Sequence, residues 1–267
     1  MTRTALIAGQ GLLPAAVARA LNAPLVCALD GFAPEGVAPD LTFRVERLVP
    51  FFRALEDAGV TRVTFAGAVR RPRLDPLLFD AATAGLVPRL LAAMGQGDDA
   101  TLREVIALFE EAGFAVVGTA EVAPALIPGP GLLAGTLTGQ DHADAARAAL
   151  IVDALGAVDV GQGSVVQQGL CLGVETLAGT DAMLAGVAAL GLLRPDATKG
   201  RGLFYKAPKP GQDRRIDLPA IGPQTVAAAA GAGLGGLVWA AGGVICLDQP
   251  AMIKTADDAG LFLWSRA

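Results

Sequence analysis

Short apolar runs alternate with amphipathic segments through the first half of the chain. Four apolar runs have the length of strands: ALIAG (5–9), PLVCALD (24–30), VTRVTFAGAV (60–69) and FAVVG (114–118). Three segments between them have helical spacing: QGLLPAAVARAL (10–21), FFRALEDAG (51–59) and GDDATLREVIALFEEAG (97–113). Because strands that alternate with helices form parallel sheets, this half predicts a Rossmann-like, doubly wound α/β domain.

The second half has a different rhythm, and the proline- and glycine-rich stretch IPGPGLLAG (127–135) predicts a boundary before it. We expect an N-terminal Rossmann-like domain at 1–130 and a catalytic α/β domain with a mixed sheet at 131–267. The predicted helices of the second domain are 141–155, 180–193 and 224–233. Its predicted strands are a hairpin at 164–176, then 202–207 and 236–248.

Two helix starts carry candidate capping residues. Asp98 or Asp99 is expected to cap the helix at 97–113, and Thr180 or Asp181 is expected to cap the helix at 180–193.

Residues 218–247 contain no charge and are long enough to cross a bilayer. Glycines interrupt this stretch, so it predicts a helix, a glycine turn and a strand instead of a membrane span.

Composition excludes several classes of protein. Hydrophobic residues make up 53% of the 267 residues and charged residues 18%, which is far from a disordered chain. The net charge of -5 and the 5% aromatic content argue against a nucleic-acid-binding protein. Three cysteines without a CxxC pair indicate reduced thiols in a cytoplasmic protein, and no signal-peptide pattern is expected at the N-terminus.

The scarcity of histidine restricts the chemistry further. His142 is the only histidine, and we interpret it as a surface residue at the start of a helix. A histidine-rich two-metal phosphoesterase site and a Cys/His zinc site are therefore excluded, and neither GxSxG nor a P-loop motif is present. Any hydrolysis must depend on carboxylates, arginines and lysines.

Two segments of the first half are candidates for anion binding. Gly9-Gln10-Gly11 follows the first strand and places backbone N–H groups near a helix N-terminus, although a tight strand-to-helix turn explains it equally well. Arg70 and Arg71 follow the third strand, at the sheet edge where open α/β sheets bind ligands. Guanidinium groups there suit phosphate, and a solvated basic turn is the alternative.

Several carboxylates lie next to glycines and are candidate Mg²⁺ ligands, because Mg²⁺ takes one or two carboxylates together with substrate phosphates. The candidates and their neighbours are Asp98, Asp99, Asp159, Gln162, Glu175, Thr180 and Asp181. Taken singly, each is equally explained as a turn or capping residue.

The stretch APKPGQDRRIDLPAIGP (207–223) combines cations and carboxylates between prolines. The region from Lys199 to Arg215 holds six of the 21 basic residues, including three of the four lysines. Asp213 and Asp217 are spaced i, i+4 within it. Basic groups on such a stiff loop would hold a phosphate while a carboxylate binds metal or orients water, as a pyrophosphate substrate requires. A surface loop with screened ion pairs is the alternative.

This loop also carries a family resemblance. Lys206 to Thr225 reads K-x-x-K-P-G-Q-D-x-R-x-D-L-P-x-x-G-P-x-T, which resembles the signature of the LpxI-type UDP-2,3-diacylglucosamine pyrophosphohydrolases of lipid A biosynthesis. LIAGQGLLP, AGAVRRP, GDDATLREV, DVGQGSVV, VETLAGTDAML and TADDAGLFL are similar to family segments in the same order, so the resemblance covers essentially the whole chain. The start VVQQGLCLGVE departs mildly from the family pattern.

The resemblance implies a Mg²⁺-dependent hydrolase that cleaves UDP-2,3-diacylglucosamine to UMP and 2,3-diacylglucosamine 1-phosphate, with water attacking the phosphorus nearer the sugar. It further implies two domains with the lipid held between them, a homodimer, and a cytoplasmic protein with transient peripheral contact to the inner membrane of a Gram-negative bacterium. Nucleic acid is not an expected partner.

Residue roles are assigned on this basis as hypotheses. Asp217 is the main catalytic carboxylate and Asp213 supports it. The cations expected to neutralise the phosphates are Lys206, Lys209, Arg214 and Arg215. The expected substrate-binding residues are Gly9, Gly11, Arg70, Arg71, Gln162, Glu175, Thr180, Gln212 and Thr225. The expected metal ligands are Asp217, Asp98, Asp99 and Asp181.

Two other functions stay open from the residues. A nicotinamide-dependent oxidoreductase would use Gly9, Gly11 and Asp30, but Pro14 replaces the third glycine of that fingerprint. A non-catalytic nucleotide- or lipid-binding protein would differ from the hydrolase only in turnover.

Overall fold

The computed structural model describes residues 3–70 and 72–267, with the backbone alone at residues 98 and 99. The chain forms two compact units. The N-terminal unit comprises Met1–Pro124 together with Asp213–Asp217, and the C-terminal unit comprises Ala125–Gln212 and Leu218–Ala267. Five residues of the proline-bounded loop therefore belong to the unit that is built from the first half of the chain.

The N-terminal unit alternates strands and helices, as the hydrophobic pattern predicts. Its elements in chain order are β1 (Arg3–Ala8), α1 (Leu13–Ala20), β2 (Leu25–Leu29), β3 (Leu41–Phe43), α2 (Leu48–Asp57), β4 (Val60–Ala66), α3 (Ala81–Ala84), α4 (Val87–Met94), α5 (Asp98–Glu111), β5 (Ala115–Val116) and α6 (Thr119–Val122). In the described residues the five strands run parallel in the order β3-β2-β1-β4-β5. The predicted doubly wound parallel sheet is confirmed.

The strand order reverses at β1, which pairs with β2 on one side and with β4 on the other. Such a switch point leaves a crevice at the carboxyl ends of the strands. Aromatic side chains pack close to this edge: Phe43 stacks on Phe51 with ring centroids 3.9 Å apart, and Phe65 meets the edge of Phe109 at 5.2 Å. The unit is thus held by a phenylalanine-rich core that reaches the crevice.

The C-terminal unit is built around a mixed sheet. Its elements are β6 (Gly131–Ala134), α7 (Gly139–Ala157), β7 (Gly163–Gln167), β8 (Leu170–Val174), α8 (Gly179–Ala189), β9 (Leu203–Lys206), β10 (Ala220–Ile221), α9 (Pro223–Gly231), β11 (Gly236–Ala240), β12 (Ile245–Cys246), α10 (Gln249–Ala259) and β13 (Phe262–Arg266). Across the part of the chain that is described, six strands follow the order β6-β13-β11-β9-β7-β8, and β10 pairs with β12 separately. The central strands β9, β11 and β13 are parallel, whereas β6, β7 and β8 are antiparallel to their neighbours.

Some local predictions are wrong in detail. Helix α5 begins at Asp98, so its N-cap residue is Gly97 and neither aspartate. Helix α8 begins at Gly179 after Ala178, without a side-chain cap, because the Thr180 hydroxyl bonds elsewhere. The pattern also missed α4 and α10, as well as the strands β3, β6 and β13.

The charge-free stretch at 218–247 folds as predicted, with α9 followed by β11. No helix within the described residues combines the length and the apolar character needed to cross a membrane.

Candidate functional site

The loop between β9 and β10 begins with a tight turn in the C-terminal unit. The N–H of Lys209 donates to Oε1 of Gln212 at 3.0 Å, and the N–H of Gln212 donates to the carbonyl of Lys209 at 3.3 Å. Pro210 and Gly211, with φ of 77°, occupy the positions at which a type II turn requires proline and glycine. The turn is closed by two hydrogen bonds, so its shape is set locally.

Lys209 is also tied to the rest of its unit. Its ammonium pairs with Oδ1 of Asp159 at 2.5 Å. A Cβ atom on Gly156, at the end of α7, would lie 2.7 Å from Cδ of Pro210. The turn therefore packs directly on the helix, and the predicted catalytic lysine Lys209 has its charge balanced by a carboxylate of the same unit.

Residues Asp213–Asp217, which directly follow the Lys209–Gln212 turn, form a second turn that belongs to the N-terminal unit. Asp213 accepts from the N–H of Arg215 at 3.0 Å, and its carbonyl accepts from the N–H of Asp217 at 3.3 Å. The Arg215 guanidinium donates to Oδ2 of Asp213 at 2.7 Å and to Oε1 of Glu110 at 2.7 Å. The backbone here is so close to Gly118 that a Cβ atom on Gly118 would lie 3.0 Å from Cα of Arg215.

These contacts indicate what Asp213 and Arg215 do. Hydrogen bonds from Arg215 hold the pKa of Asp213 below its ordinary value, against the opposing effect of partial burial. Arg215 faces two carboxylates, which raise the pKa of its guanidinium. The pair closes the turn that carries Asp217, so its contacts favour a positioning role; the predicted direct role in catalysis stays a prediction.

Asp217 lies at a cavity of about 430 Å³ in the N-terminal unit. The cavity opens at the carboxyl ends of β1, β2 and β4, where Ala8, Leu29 and Ala66 line it. Arg70 and Thr101 contribute polar side chains to the lining, which is otherwise mostly apolar. A predicted carboxylate and a predicted phosphate-binding arginine thus share one cavity at the sheet edge.

Gly9 and Gly67, at the carboxyl ends of β1 and β4, allow the two backbones to lie in contact. The N–H of Gly9 donates to the carbonyl of Ala66 at 2.8 Å, and Gln10 and Ala68 exchange backbone hydrogen bonds of 2.9 and 3.0 Å. A Cβ atom on Gly67 would lie 2.7 Å from the backbone of Gly9. The Gly9 N–H is occupied by the neighbouring strand, so Gly9 acts here in packing; substrate binding by Gly9 and Gly11 stays a prediction.

A buried group of polar side chains lies in the C-terminal unit. The ammonium of Lys206 donates to Thr180 Oγ1 at 2.7 Å and to Glu175 Oε2 at 2.9 Å, and Thr180 donates to Glu175 at 2.9 Å. Lys206 is 6% exposed. We call these three residues the buried lysine cluster. It is a closed triangle in which the charge of Lys206 is neutralised by Glu175.

Glycines of the DVGQG segment make room for this cluster. A Cβ atom on Gly161 would lie 2.0 Å from the carbonyl oxygen of Glu175, and one on Gly163 would lie 2.7 Å from its Oε2. Between them, Gln162 accepts from the N–H of Ala207 at 3.0 Å through its backbone carbonyl. Its side-chain Oε1 is buried and has no hydrogen-bond partner among the described residues.

The other predicted site residues are distributed as follows. Asp181 is exposed in the first turn of α8, Arg214 is exposed in the loop, and Thr225 accepts from the N–H of Gly222 at 3.3 Å at the start of α9. His142 is exposed, with its ring against the edge of Trp264 at 4.8 Å. Arg71 and the side chains of Asp98 and Asp99 lie outside the described residues.

Sequence reasoning missed most of the cavity lining. Leu90 and Met94 come from α4, a helix that the pattern did not predict, and Thr101 lies one turn into α5. A signal for α4 was present in VPRLLAAM, which has proline in its first turn and apolar residues at helical spacing.

Comparison with known proteins is consistent along the whole chain. The LpxI N-terminal domain matches residues 3–126, and the LpxI C-terminal domain matches residues 130–264. The chain belongs to the LpxI family. A curated member from Caulobacter vibrioides, named UDP-2,3-diacylglucosamine pyrophosphatase LpxI, is 40% identical over 98% of this chain and 97% of its own length.

Family membership agrees with the resemblance stated from the loop signature. Both family domains are matched, so the agreement is not limited to the Lys206–Thr225 segment. In this chain the parallel sheet at the cavity lies within the match to the LpxI N-terminal domain, and the buried lysine cluster and Asp217 lie within the match to the LpxI C-terminal domain.

Proposed function

We propose that this protein hydrolyses the pyrophosphate bond of UDP-2,3-diacylglucosamine, giving UMP and 2,3-diacylglucosamine 1-phosphate for lipid A biosynthesis. Membership of the LpxI family and the name of the Caulobacter relative support the substrate and the reaction. One structural observation carries the assignment of the site. Asp217 and Arg70 line the same cavity at the carboxyl edge of the parallel sheet.

The reaction needs a water molecule held in line with the bond that breaks. The new bond joins the water oxygen to the phosphorus nearer the sugar, and the bond from that phosphorus to the bridging oxygen breaks as UMP leaves. A carboxylate that accepts a hydrogen bond from water orients it and takes up proton density as the bond forms. We assign this role to Asp217.

Cations near the phosphates would stabilise the negative charge that grows in the transition state. Arg70 is exposed and lines the cavity, and Arg214 is exposed within the Asp213–Asp217 turn. We assign direct phosphate contacts to these two arginines. Lys209 and Arg215 face carboxylates of their own units, so we assign them mainly to holding the loop in shape.

The buried lysine cluster is assigned a positioning role. Lys206 ends β9 and is followed directly by the loop, and its ammonium fixes Glu175 and Thr180. A residue so enclosed orders its surroundings at small entropic cost during turnover. The Oε1 of Gln162, which has no hydrogen-bond partner within the described part of the chain, is assigned to accept a hydrogen bond from substrate.

We also propose Mg²⁺ as the cofactor. Among the side chains that the structure describes, no three His, Cys, Asp or Glu residues converge as a metal cage. The residues suit an ion held by one or two carboxylates with water and substrate phosphates as the other ligands, which is the usual Mg²⁺ arrangement. Asp217 is the described carboxylate at the cavity, and Asp98, Asp99 and Asp181 stay further candidates. Bound there, Mg²⁺ would neutralise phosphate charge.

The alternatives receive little support. A nicotinamide oxidoreductase would need a free N–H at Gly9, but that N–H is hydrogen-bonded to β4. It would also need a ribose contact from Asp30, which pairs with Arg44 at 2.5 Å.

The family resemblance supports further proposals: a homodimer, lipid held between the domains, and a cytoplasmic protein with transient contact to the inner membrane. Sedimentation and liposome flotation would test the dimer and the membrane contact.

The test of the proposed function measures UMP release from UDP-2,3-diacylglucosamine in detergent, with Mg²⁺ and then with excess EDTA. We expect release that EDTA abolishes. Asp217→Asn should lower kcat by at least about 100-fold while leaving substrate affinity within about threefold, because the interaction is made mainly in the transition state. Asp257→Asn, at an exposed position on α10, is the matched control and should be fully active. An active Asp217→Asn enzyme would refute the assignment.

A further inference from the structure

The turn that carries Asp217 has no backbone connection within the unit in which it packs. Asp213–Asp217 belongs to the N-terminal unit, but Gln212 and Leu218, the residues bonded to its two ends, belong to the C-terminal unit. Asp217 nevertheless lines the cavity at the edge of the N-terminal sheet. The place of this carboxylate at the cavity therefore depends on the noncovalent contacts of a five-residue turn.

Helix α5 supplies the polar contacts of the turn. The guanidinium of Arg215 donates to Oε1 of Glu110 at 2.7 Å. Arg103 lies about two helical turns before Glu110 on the same face of α5, and its charge lowers the pKa of Asp213. The helix thus presents a carboxylate to the arginine of the turn and a cation to its aspartate. On the apolar side of the turn, Ile216 packs against the phenylalanine-rich core.

Gly118 contacts the backbone of the turn directly. A Cβ atom on Gly118 would lie 3.0 Å from Cα of Arg215 and 3.3 Å from the carbonyl oxygen of Arg214. Gly118 has φ of -85° and ψ of 164°, which every residue type can adopt. Glycine is therefore needed here for space and not for its conformational freedom. Since Gly118 lies between β5 and α6, it is fixed to the same sheet edge as the cavity.

We propose that Glu110 and Gly118 are positioning residues, which hold the Asp213–Asp217 turn so that the Asp217 carboxylate stays in place at the cavity. The inference rests on the proposed function, in which Asp217 orients the attacking water. Both residues lie outside the Lys206–Thr225 signature, and neither is assigned a contact with substrate. Glu110 acts through Arg215, and Gly118 acts through the backbone of the turn.

The two residues should contribute unequally. The side chains of Arg215 and Glu110 are 41% and 46% exposed, and an ion pair in that much water shifts an equilibrium by at most about fivefold. A side chain at position 118 would instead push on the backbone of the turn, and a displacement of about 1 Å can lower a rate about 100-fold. Substitution of Gly118 is therefore the sharper test, and substitution of Glu110 is an independent one.

The experiment measures kcat and KM for UMP release from UDP-2,3-diacylglucosamine. Gly118→Val should lower kcat at least about 30-fold and Glu110→Ala about fivefold. KM should stay within about threefold of wild type in both variants, because a displaced Asp217 weakens an interaction that is made mainly in the transition state.

Two matched controls should keep the wild-type kcat. Glu111→Ala removes the neighbouring carboxylate on α5, which pairs with Arg89 at 2.7 Å and not with the turn. Gly186→Val adds the same side chain as Gly118→Val in open space on α8.

Amide hydrogen exchange, followed by mass spectrometry, reports on the turn without using activity. The N–H groups of Ile216 and Asp217 both donate to the carbonyl of Asp213 at 3.3 Å, so a peptide that covers Asp213–Asp217 reports whether the turn keeps its hydrogen bonds. This peptide should exchange faster in Gly118→Val than in wild type, whereas peptides from β1 and β4 should exchange at the wild-type rate because the unit stays folded. If Gly118→Val does not fold, Gly118→Ala and Glu110→Lys replace it, and each should lower kcat at least about threefold.

Three results would overturn the inference. The first is a Gly118→Val enzyme whose kcat is within about twofold of wild type, and the second is a large loss of kcat with unchanged exchange at Asp213–Asp217. The third is a rise in KM at unchanged kcat, which would show that the two residues act in substrate binding. If the wild-type protein releases no UMP, the proposed function itself has failed, whereas the exchange measurement still decides whether Glu110 and Gly118 hold the turn.

Discussion

Removing the ammonium of Lys206 tests whether the buried lysine cluster is a structural unit. In Lys206→Met the hydrocarbon of the side chain is largely kept and the charge is lost. Glu175 would then hold a carboxylate that is 14% exposed and has only the Thr180 hydroxyl as a remaining partner in the cluster. A charge left in so little water is unfavourable, because its desolvation is no longer offset.

The size of the effect follows from burial. The side chains of the pair are 8% and 14% exposed, and their charged atoms are 2.9 Å apart. Breaking such a pair by removing one partner costs about 3–5 kcal/mol, and we expect about 3 kcal/mol because Thr180 continues to donate to the carboxylate. For a protein of this size, that corresponds to a fall in Tm of about 6–12 °C.

Scanning calorimetry at pH 7 measures the fall in Tm of Lys206→Met, and two further variants serve as comparisons. Lys254→Met removes the same side chain from an exposed i, i+4 pair with Asp258 and should leave Tm unchanged within error. Combining Lys206→Met with Glu175→Leu removes both charges and should be more stable than the single variant. Equal Tm values for the two lysine variants, or a double variant as unstable as the sum of its single changes, would refute the reasoning.

Three further predictions follow from individual residues. Cys171 is exposed, whereas burial raises the pKa of the Cys27 and Cys246 thiols to about 12. A thiol reagent should therefore label one cysteine per folded chain, and Cys171→Ser should abolish the labelling. Two labelled thiols in the folded protein would contradict this prediction. Asp213→Asn should lower Tm by about 2–4 °C at pH 7. Because the folded pKa of Asp213 is depressed, its contribution is present above the ordinary value of about 3.9 and is lost as the pH falls through the folded value, so the difference from wild type should shrink in acid; a constant difference would contradict it. Gly161→Ala places a Cβ atom 2.0 Å from a backbone oxygen and should cost at least about 2 kcal/mol in urea unfolding, whereas Gly186→Ala, in open space on α8, should be neutral or stabilising.

The local parts of this protein are readable from its sequence. The alternation of apolar runs and amphipathic segments predicted the parallel sheet, because side-chain periodicity reports which face of an element is buried. The prolines and glycines of residues 207–223 predicted a stiff loop, and within it Pro210 and Gly211 form a tight turn, since only certain residues fit its backbone angles. The loop signature at Lys206–Thr225 by itself resembles the LpxI family.

Tertiary structure decided what the local pattern could not contain. Thr180 was predicted as a helix cap, but its hydroxyl joins Lys206, 26 residues away in sequence. Strand β6 was part of a predicted boundary stretch, and it exists by pairing with β13 at the C-terminal end of the chain. Asp213 and Asp217 follow a turn that belongs to the C-terminal unit, yet they pack in the N-terminal unit.

The cavity shows most clearly which features can be predicted from the sequence and which depend on tertiary packing. Sequence alone identified Asp217 and Arg70 as candidates, because charge and position at a strand end are local properties. The apolar wall behind them is assembled from β1, β2, β4, α4 and α5, and none of those residues is unusual in its own segment. An empty volume is a property of how elements pack together, so only the folded chain reveals the cavity.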